Sequence, residues 1–382
     1  MSFRSGSVTM TIANKPKSRG MKNGMSDTNR IRVGVIGAGN IGNVHIQEFS
    51  KLSDECEVTA VTDVYLPLAE ARAKKHGIGY VAPSAEALIA SDNVDAVVIG
   101  VPNQFHAPLA IRALEAGKHV LLEKPMAIDA EAARSIMRAA AASDRTLMLS
   151  HQMRWESVPM QIKEQALRGE LGRIYTAKTG WYRRKGIPGW GTWFTRMSES
   201  GGGPLIDIGV HMLDLALYLM GNPKPVSVYG STYAEFGPKK KGIGTWGKPN
   251  WDGIYDVEDL ATAMIKMEDG SSLTLEVSWA VHMDTDSTPF IHLMGSEGGA
   301  SYRGAHGKLL TEKFDRPLET ELRTPEGDEG ARRRMSRHFL ECVREGKEPI
   351  SSAMTGFANS LILDAIYESS RTGNEVKLNW NY

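Results

Sequence analysis

The sequence predicts an α/β protein in two parts, a doubly wound parallel-sheet domain followed by an α+β domain with an open, mostly antiparallel sheet. Between Ile31 and about residue 150, short apolar runs alternate with helical patterns, which is typical of βαβ units. Beyond that point strand-like runs follow one another, and all eight Trp lie there. We therefore divide the chain into a leader (1–30), a first domain (31–150) and a second domain (151–382).

Composition excludes several classes of protein. The 45 Lys and Arg balance the 45 Asp and Glu, so we expect no general attraction to nucleic acid or to an anionic membrane. The sequence contains no run of about 18 apolar residues, and no transmembrane helix is predicted. Cys56 and Cys342 lie far apart, which fits the reducing cytoplasm better than a disulfide framework.

The leader is rich in Ser, Gly, Asn and Lys and lacks the apolar stretch of a secretory signal. Such a composition cannot bury enough apolar surface to order itself, which predicts disorder. The alternative is an arm that wraps a neighbouring subunit. Met21 and Met25 could each be the true start.

In the first domain, each apolar β-branched run predicts a strand and each following helical period predicts a helix. The strands are predicted at 31–36, 58–62, 95–101, 119–122 and 147–149, and the helices at 43–52, 67–76, 107–116 and 130–143. In the second domain, the strands are predicted at 173–183, 225–235, 257–267, 272–281 and 289–294, and the helices at 156–168, 205–220, 334–346 and 353–370. The stretch 236–255 has no clear period, which indicates a functional or disordered loop.

The segment Gly37-Ala38-Gly39-Asn40-Ile41-Gly42 is the strongest local motif. It follows a predicted strand and opens a predicted helix, and Asp63 ends the next strand 21 positions after Gly42. This is the context of a dinucleotide-binding Rossmann unit, in which the helix N-terminus faces the pyrophosphate and the acidic residue bonds the adenosine ribose. Asp63 would repel a 2′-phosphate, and Val64-Tyr65 supply no adjacent Arg. The motif therefore favours NAD over NADP.

Two further segments follow strands at the same carboxyl edge, where open α/β sheets bind ligands. In Pro102-Asn103-Gln104-Phe105-His106, we predict that Asn103 bonds the ribose on the nicotinamide side. His106 is either a cofactor contact or a residue that caps or packs at the helix start. Glu123-Lys124-Pro125 places Lys124 toward the nicotinamide crevice. The predicted cofactor contacts in these segments are Pro102, Asn103, His106, Glu123 and Lys124.

A glycine-rich loop, Gly201-Gly202-Gly203-Pro204, leads into an apolar helix that carries Asp207 and His211. These two residues are i and i+4, so their side chains share one face of the helix. A carboxylate and an imidazole at one spot suit proton transfer at neutral pH. Asp214, three positions later, could orient His211. No metal site is predicted, because the sequence has no H-E-x-x-H motif and no Cys/His cluster.

Aromatic and arginine side chains of the second domain are the candidates for substrate binding. Aromatic rings beside Arg can bind a small molecule that presents apolar C–H faces with polar rims. The alternative for any single Trp is a place in the core or an interface. Arg183 and its neighbour Arg184 could bind an anionic substrate or pair with internal acids. Besides Lys124, Asp207 and His211, the predicted substrate contacts are Arg154, Trp181, Arg183 and Trp193.

Taken together, these motifs resemble the glucose–fructose oxidoreductase/inositol dehydrogenase/MocA (Gfo/Idh/MocA) family, from about Ile31 to Trp380. The triplet Glu123-Lys124-Pro125 combined with Asp207-x-Gly209-x-His211 is the most specific part. The resemblance implies a Rossmann domain and a C-terminal open sheet that mediates oligomerisation, as a dimer or tetramer. It also implies catalytic roles for Lys124, Asp207 and His211, and a sugar, cyclitol or related polyol as substrate.

The sequence thus predicts an NAD-dependent oxidoreductase that transfers a hydride between nicotinamide and a ring hydroxyl of a sugar, glycoside or cyclitol. One alternative is a glycosidase that retains its NAD and uses transient oxidation to drive elimination. The other is a non-catalytic NAD(H)-binding regulator. Whether Lys124 or His211 is the formal base stays open.

Overall fold

The computed structural model describes residues 30–284 and 287–382, so the prediction for the leader lies outside the described residues. The N-terminal sheet has six parallel strands in the order β3-β2-β1-β4-β5-β6. Its strands are β1 (Ile31–Ile36), β2 (Cys56–Thr62), β3 (Tyr80–Val81), β4 (Ala96–Ile99), β5 (His119–Leu122) and β6 (Leu147–Leu149). The accompanying helices are α1 (Asn40–Ser50), α2 (Leu66–His76), α3 (Ala85–Ile89), α4 (His106–Glu115) and α5 (Ala130–Ala142).

The predicted parallel α/β domain is confirmed, and its strand order places a ligand site. Every residue of β4 is buried, as expected for a central strand that helices cover on both faces. The order reverses between β1 and β4, and the crevice outside the carboxyl ends of these strands is where such folds bind ligands. Only β3 and α3 escaped prediction, because two and five residues are too short to show a period.

The C-terminal sheet has nine strands in the order β14-β13-β12-β11-β7-β10-β9-β8-β15. All neighbouring pairs are antiparallel except β7 and β10. The strands are β7 (Ile174–Tyr182), β8 (Pro225–Tyr233), β9 (Leu260–Met267), β10 (Ser272–Ser278), β11 (Pro289–Gly295), β12 (Gly298–Arg303), β13 (His306–Lys313), β14 (Arg316–Arg323) and β15 (Val376–Lys377). The predicted open, mostly antiparallel sheet is therefore confirmed. Four strands, β12 to β15, were not predicted. Nearly all of β14 is exposed and offers no alternating apolar pattern, and β15 has only two residues.

Helices cover one face of this sheet. The helices of this half are α6 (Ser157–Leu167), α7 (Met197–Ser200), α8 (Val210–Leu219), α9 (Ala331–Glu345) and α10 (Ala353–Thr372), of which α6, α8 and α10 pack on the sheet. Residues of α8 and α10 share a buried cluster with alternate residues of the strands, and β9 shows the resulting alternation of buried and exposed positions. The last two helices also reach the first domain, where Phe339 of α9 packs edge-on against Phe49 of α1 with the ring centroids 6.4 Å apart. Both domains thus share packed surface around the cleft between them.

The predicted helix 205–220 begins with a π turn, Leu205–Gly209, before α8. Widened turns of this kind are frequent at functional sites. The carboxylate of Glu258 holds the entry to the turn, because it accepts hydrogen bonds from the backbone amides of Gly203 (2.9 Å) and Leu205 (3.0 Å).

The segment Met197–Leu219, which contains α7, the π turn and α8, has the length of a membrane span and includes an 18-residue window with the mean hydropathy of one. However, 89% of that window is buried inside the protein, as expected for a core helix. The stretch 236–255 forms a loop that packs Trp251 against Trp190, with the ring centroids 5.6 Å apart.

Candidate active site

A cleft of about 1040 Å³ lies at the carboxyl ends of β1, β4 and β5 and extends to the C-terminal domain. Most of the residues predicted for the cofactor and the chemistry line it. They are Gly37, Gly39, Asn40, Ile41, Asp63, Pro102, Asn103, His106, Glu123, Lys124, Trp193, Asp207 and His211.

The glycine loop has the shape that a dinucleotide requires. Gly37 has φ +96°, and a Cβ there would lie 2.3 Å from the carbonyl oxygen of Gly100. Gly42 packs so closely that a Cβ would lie 1.8 Å from the carbonyl oxygen of Gly37. In contrast, a Cβ on Gly39 would meet nothing within 4 Å, and Gly39 caps α1 without any side-chain hydrogen bond. The uncapped helix N-terminus is therefore open to the cleft, which fits a pyrophosphate.

Asp63 is fixed at the end of β2 by two backbone amides. Its carboxylate accepts hydrogen bonds from Ala38 N (2.7 Å) and Tyr65 N (2.9 Å). Arg72 of α2 donates to the carbonyl oxygen of Ala38 at 3.1 Å. Val64-Tyr65 supply no Arg adjacent to Asp63 in sequence, but α2 folds back and brings Arg72 to the loop.

Asn103 and His106 line the cleft, and both side chains also contact backbone carbonyl oxygens of the protein. The Asn103 amide donates to the carbonyl oxygen of Ser200 at 2.7 Å and so links the two domains. His106 is 1% exposed, and its ring nitrogens contact the carbonyl oxygens of Pro125 (2.7 Å) and Val101 (2.9 Å). These contacts support the packing alternative for His106, since neither ring nitrogen is left for a ligand.

Glu123 is the centre of a buried network. Its Oε1 accepts hydrogen bonds from His45 Nε2 and Ser150 Oγ, each at 2.8 Å, and its Oε2 accepts from Lys124 N at 3.2 Å. Burial raises the pKa of Glu123, but the hydrogen bond and charge of His45 together with the charges of Arg332 and Lys124 outweigh burial, so the pKa lies well below its ordinary value of 4.5. Glu123 is therefore an anion that anchors the backbone beside Lys124.

Lys124, Asp207 and Trp279 form a hydrogen-bonded set in the cleft. Lys124 Nζ donates to the Asp207 carbonyl oxygen (2.8 Å) and to its carboxylate Oδ1 (3.2 Å), while Trp279 Nε1 donates to Oδ2 (3.1 Å). Burial raises the pKa of Asp207, but the charges of Lys124 and Arg183 outweigh it and hold the pKa below 3.8. Asp207 thus holds the lysine in place as a carboxylate.

His211 lies on the same face of this helical segment and is 8% exposed. Burial, followed by the positive charge of Lys124, lowers the pKa of His211 well below 6.5. The imidazole is therefore neutral at pH 7 and can accept a proton. Asp214 does not orient it, contrary to expectation, because the carboxylate of Asp214 is bound by Arg154 and Asn359.

The prediction that Arg154 binds substrate was wrong. Its side chain is 1% exposed, and Nε and Nη2 donate to Asp214 at 2.7 and 2.5 Å. The third nitrogen, Nη1, donates to the carbonyl oxygen of Ile350 at 2.6 Å. The guanidinium is thus fully engaged inside the protein.

The other predicted substrate residues do not all lie at the cleft. Trp193 lines the cleft, and its ring packs against Phe194. Trp181 does not line the cleft but a second cavity that also contains His211. Arg183 lies over the Trp181 ring, 4.8 Å from its centroid, and acts on Asp207 through its charge.

The cleft is also lined by residues that sequence analysis did not identify as site residues, among them Gln152, Trp246 and Arg332. Gln152 follows β6 at the same carboxyl edge as the other cofactor segments. Arg332 belongs to a run of three arginines in the first turn of α9, where a helix dipole favours acids. Three arginines where acids are favoured could have identified this turn as a candidate binding segment. Among the described residues, no group of His, Cys, Asp and Glu could hold a metal ion.

Comparison with known proteins gives consistent matches along the chain. A model of an oxidoreductase family with an NAD-binding Rossmann fold matches residues 31–151, and the C-terminal alpha/beta domain of that family matches 163–378. The chain is 34% identical over 360 residues to D-glucoside 3-dehydrogenase of Escherichia coli (strain K12), covering 94% of this chain and 100% of the relative. It is 26% identical to scyllo-inositol 2-dehydrogenase (NAD(+)) of Bacillus subtilis (strain 168), covering 91% and 96%. A solved levoglucosan dehydrogenase in complex with NADH and levoglucosan has the same fold, with a TM-score of 0.82 at 23% identity over 91% of this chain and 99% of that one.

Proposed function

This chain belongs to the Gfo/Idh/MocA oxidoreductase family, and from that premise we propose that it oxidises a ring hydroxyl of a sugar, glycoside or cyclitol with NAD. As a member of the family it is an NAD(P)-dependent dehydrogenase with an NAD-binding Rossmann domain. The observation that carries the proposal is the set of Lys124, Asp207 and His211 at the cleft, beside an open glycine loop.

We assign each of these residues a separate role toward one substrate hydroxyl group. His211 is neutral and accepts the hydroxyl proton, while Lys124 donates a hydrogen bond to the same oxygen and stabilises its developing negative charge. Asp207 positions Lys124 through the 3.2 Å contact. When bound, NAD supplies the acceptor for the hydride of the carbinol carbon.

The name of the E. coli relative makes a glucoside the first substrate to test. The experiment is a panel of methyl glucosides, free sugars and inositols with NAD and NADP, followed by NADH absorbance. Stoichiometric NADH with an oxidised sugar supports the proposal. Cleaved glycoside without net NADH would instead favour the NAD-retaining glycosidase, and inactivity across the panel would favour a regulator.

The choice of cofactor depends on Asp63. We propose that NAD is preferred over NADP by about tenfold or more in kcat/KM, since a carboxylate facing a 2′-phosphate costs about 1.4 kcal/mol or more. Asp63→Asn keeps an acceptor for Ala38 N and removes the charge, so the preference should relax toward NADP. Arg72→Ala should move the ratio in the opposite direction. An unchanged ratio in Asp63→Asn would show that Asp63 does not contact the ribose.

The low pKa of His211 predicts the pH dependence of oxidation. The base must be unprotonated, so kcat/KM should stay on its plateau down to about pH 6.5 and fall only at lower pH. The charge of Lys124 lowers the pKa of His211, so Lys124→Met should move this acid limb to higher pH. The apparent value belongs to the interacting set of groups. A wild-type limb well above pH 6.5 would contradict the assignment of His211 as the base.

We further propose that residues 31–150 hold the cofactor, and that residues 151–382 hold the substrate and join subunits through the uncovered sheet face. That face exposes Tyr229, Tyr233 and Met264. The two buried free cysteines suit the cytoplasm that we propose as its location. Light scattering should give a mass of two or four chains, and the mass of one 41.8 kDa chain would contradict the proposed assembly.

A further inference from the structure

A second cavity of about 430 Å³ adjoins the cleft, and the two share Gln152 and His211. Its other walls come from the C-terminal domain, including Trp181 of β7 and Tyr302 of β12. Its volume lies within the range of small-molecule sites. The cavity therefore opens directly beside the proposed reacting centre.

Charged groups of the cavity wall are ion-paired or hydrogen-bonded within the protein. Arg334 pairs with Asp328 at 2.5 Å and donates to the carbonyl oxygen of Trp155 at 2.6 Å. Tyr302 donates to Glu156 Oε2 at 2.5 Å. The wall thus offers no unpaired cation for a phosphate or a carboxylate, so an anionic occupant is disfavoured.

Hydrogen-bonding capacity nevertheless remains. Within the described part of the chain, the Gln152 amide makes no hydrogen bond and Glu156 Oε1 has no partner. Trp181 and Tyr302 add apolar ring surface. Aromatic walls with a few unused donors and acceptors suit a neutral, hydroxyl-bearing ring.

The position of the two catalytic groups decides which part of a substrate the cavity takes. Lys124 and Asp207 line the cleft but not the second cavity. A ring whose hydroxyl contacts both Lys124 and His211 must therefore lie in the cleft, and the cavity can take only what is attached to that ring. Resting on the proposed function, we infer that the second cavity binds the second sugar ring of a disaccharide whose neighbouring ring is oxidised at His211.

Ala305→Trp tests this inference, because Ala305 lines the cavity from an exposed hairpin turn and contributes nothing to the proposed chemistry. Ala141→Trp is the matched control, since Ala141 is exposed on α5 and lines neither cavity. The probes are cellobiose and maltose, each compared with the methyl glucoside of the same anomer. We expect Ala305→Trp to lower kcat/KM for at least one disaccharide by about tenfold or more, with the methyl glucosides within about twofold of wild type.

Equal losses on a disaccharide and its methyl glucoside would overturn the inference, because the oxidised ring itself would then occupy the cavity. The inference would also be overturned if Ala305→Trp lost no kcat/KM on either kind of substrate. The same holds if the wild-type enzyme oxidised methyl glucosides but neither disaccharide. Calorimetric binding of the disaccharides to the NADH-loaded protein provides a readout that does not require turnover. Weaker disaccharide binding to Ala305→Trp than to Ala141→Trp would support the second-ring site even if no sugar of the panel is oxidised. Absence of NADH formation would contradict the proposed function but not this binding site.

Discussion

Replacement of His211 by alanine is expected to lower kcat by about 10²–10⁴-fold, the usual range for a positioned proton-transfer group. His211 is the neutral imidazole of the cleft, and Lys124→Ala should cost a similar factor because its Nζ stabilises the same oxygen. Affinity for NAD should change little, since the glycine loop and α1 lie apart from the helix that bears His211. Steady-state NADH formation and NADH fluorescence titration measure the two quantities.

The double variant tests whether the two groups act as a unit. If both act on one oxygen, their combined loss should be far smaller than the product of the single losses. His306→Ala and Lys313→Ala are matched controls on exposed positions of β13 and should keep wild-type kcat. A His211→Ala protein that binds NAD and substrate normally and still turns over near the wild-type rate would remove His211 from the mechanism.

Local patterns predicted the parts of the site that depend on neighbouring residues in sequence. The loop Gly37–Gly42 requires glycines within six positions, and Asp207 and His211 share a face because of helix periodicity. Lys124 was placed correctly at the cleft because parallel strands bring their carboxyl ends to one edge. These are relations that a short window of sequence contains.

The site residues that were missed or misassigned depend on contacts between segments far apart in the chain, and a single sequence does not show such contacts. Arg332 reaches the cleft from α9, more than 200 positions after Lys124. Arg154 looked available for a substrate until Asp214, 60 positions later, proved to be its partner. A buried arginine and an exposed one are alike in sequence, and only the partner distinguishes them.

The pair of Arg154 and Asp214 is therefore expected to matter for stability rather than for substrate binding. Both side chains are almost fully buried, at 1% and 2% exposure. Burial raises the pKa of Asp214, but Arg154, with His151 and Asn359, outweighs burial and holds the pKa below 3.8. Arg154→Met leaves Asp214 as a buried charge without its cation, which should lower the free energy of unfolding by about 3–5 kcal/mol in urea titrations at pH 7.

The matched control is Arg168→Met, which breaks an exposed pair with Glu164 and should cost below about 1 kcal/mol. Because the pKa of Asp214 is lowered on folding, the contribution of the pair is present above the ordinary carboxyl pKa of about 4 and is lost as the pH falls through the folded value. The destabilisation by Arg154→Met should therefore be smaller at acid pH. The double change Arg154→Met with Asp214→Leu should regain part of the loss, since no buried charge remains. Equal costs for Arg154→Met and Arg168→Met would show that Arg154 is solvated, and would return it to the list of candidate substrate residues.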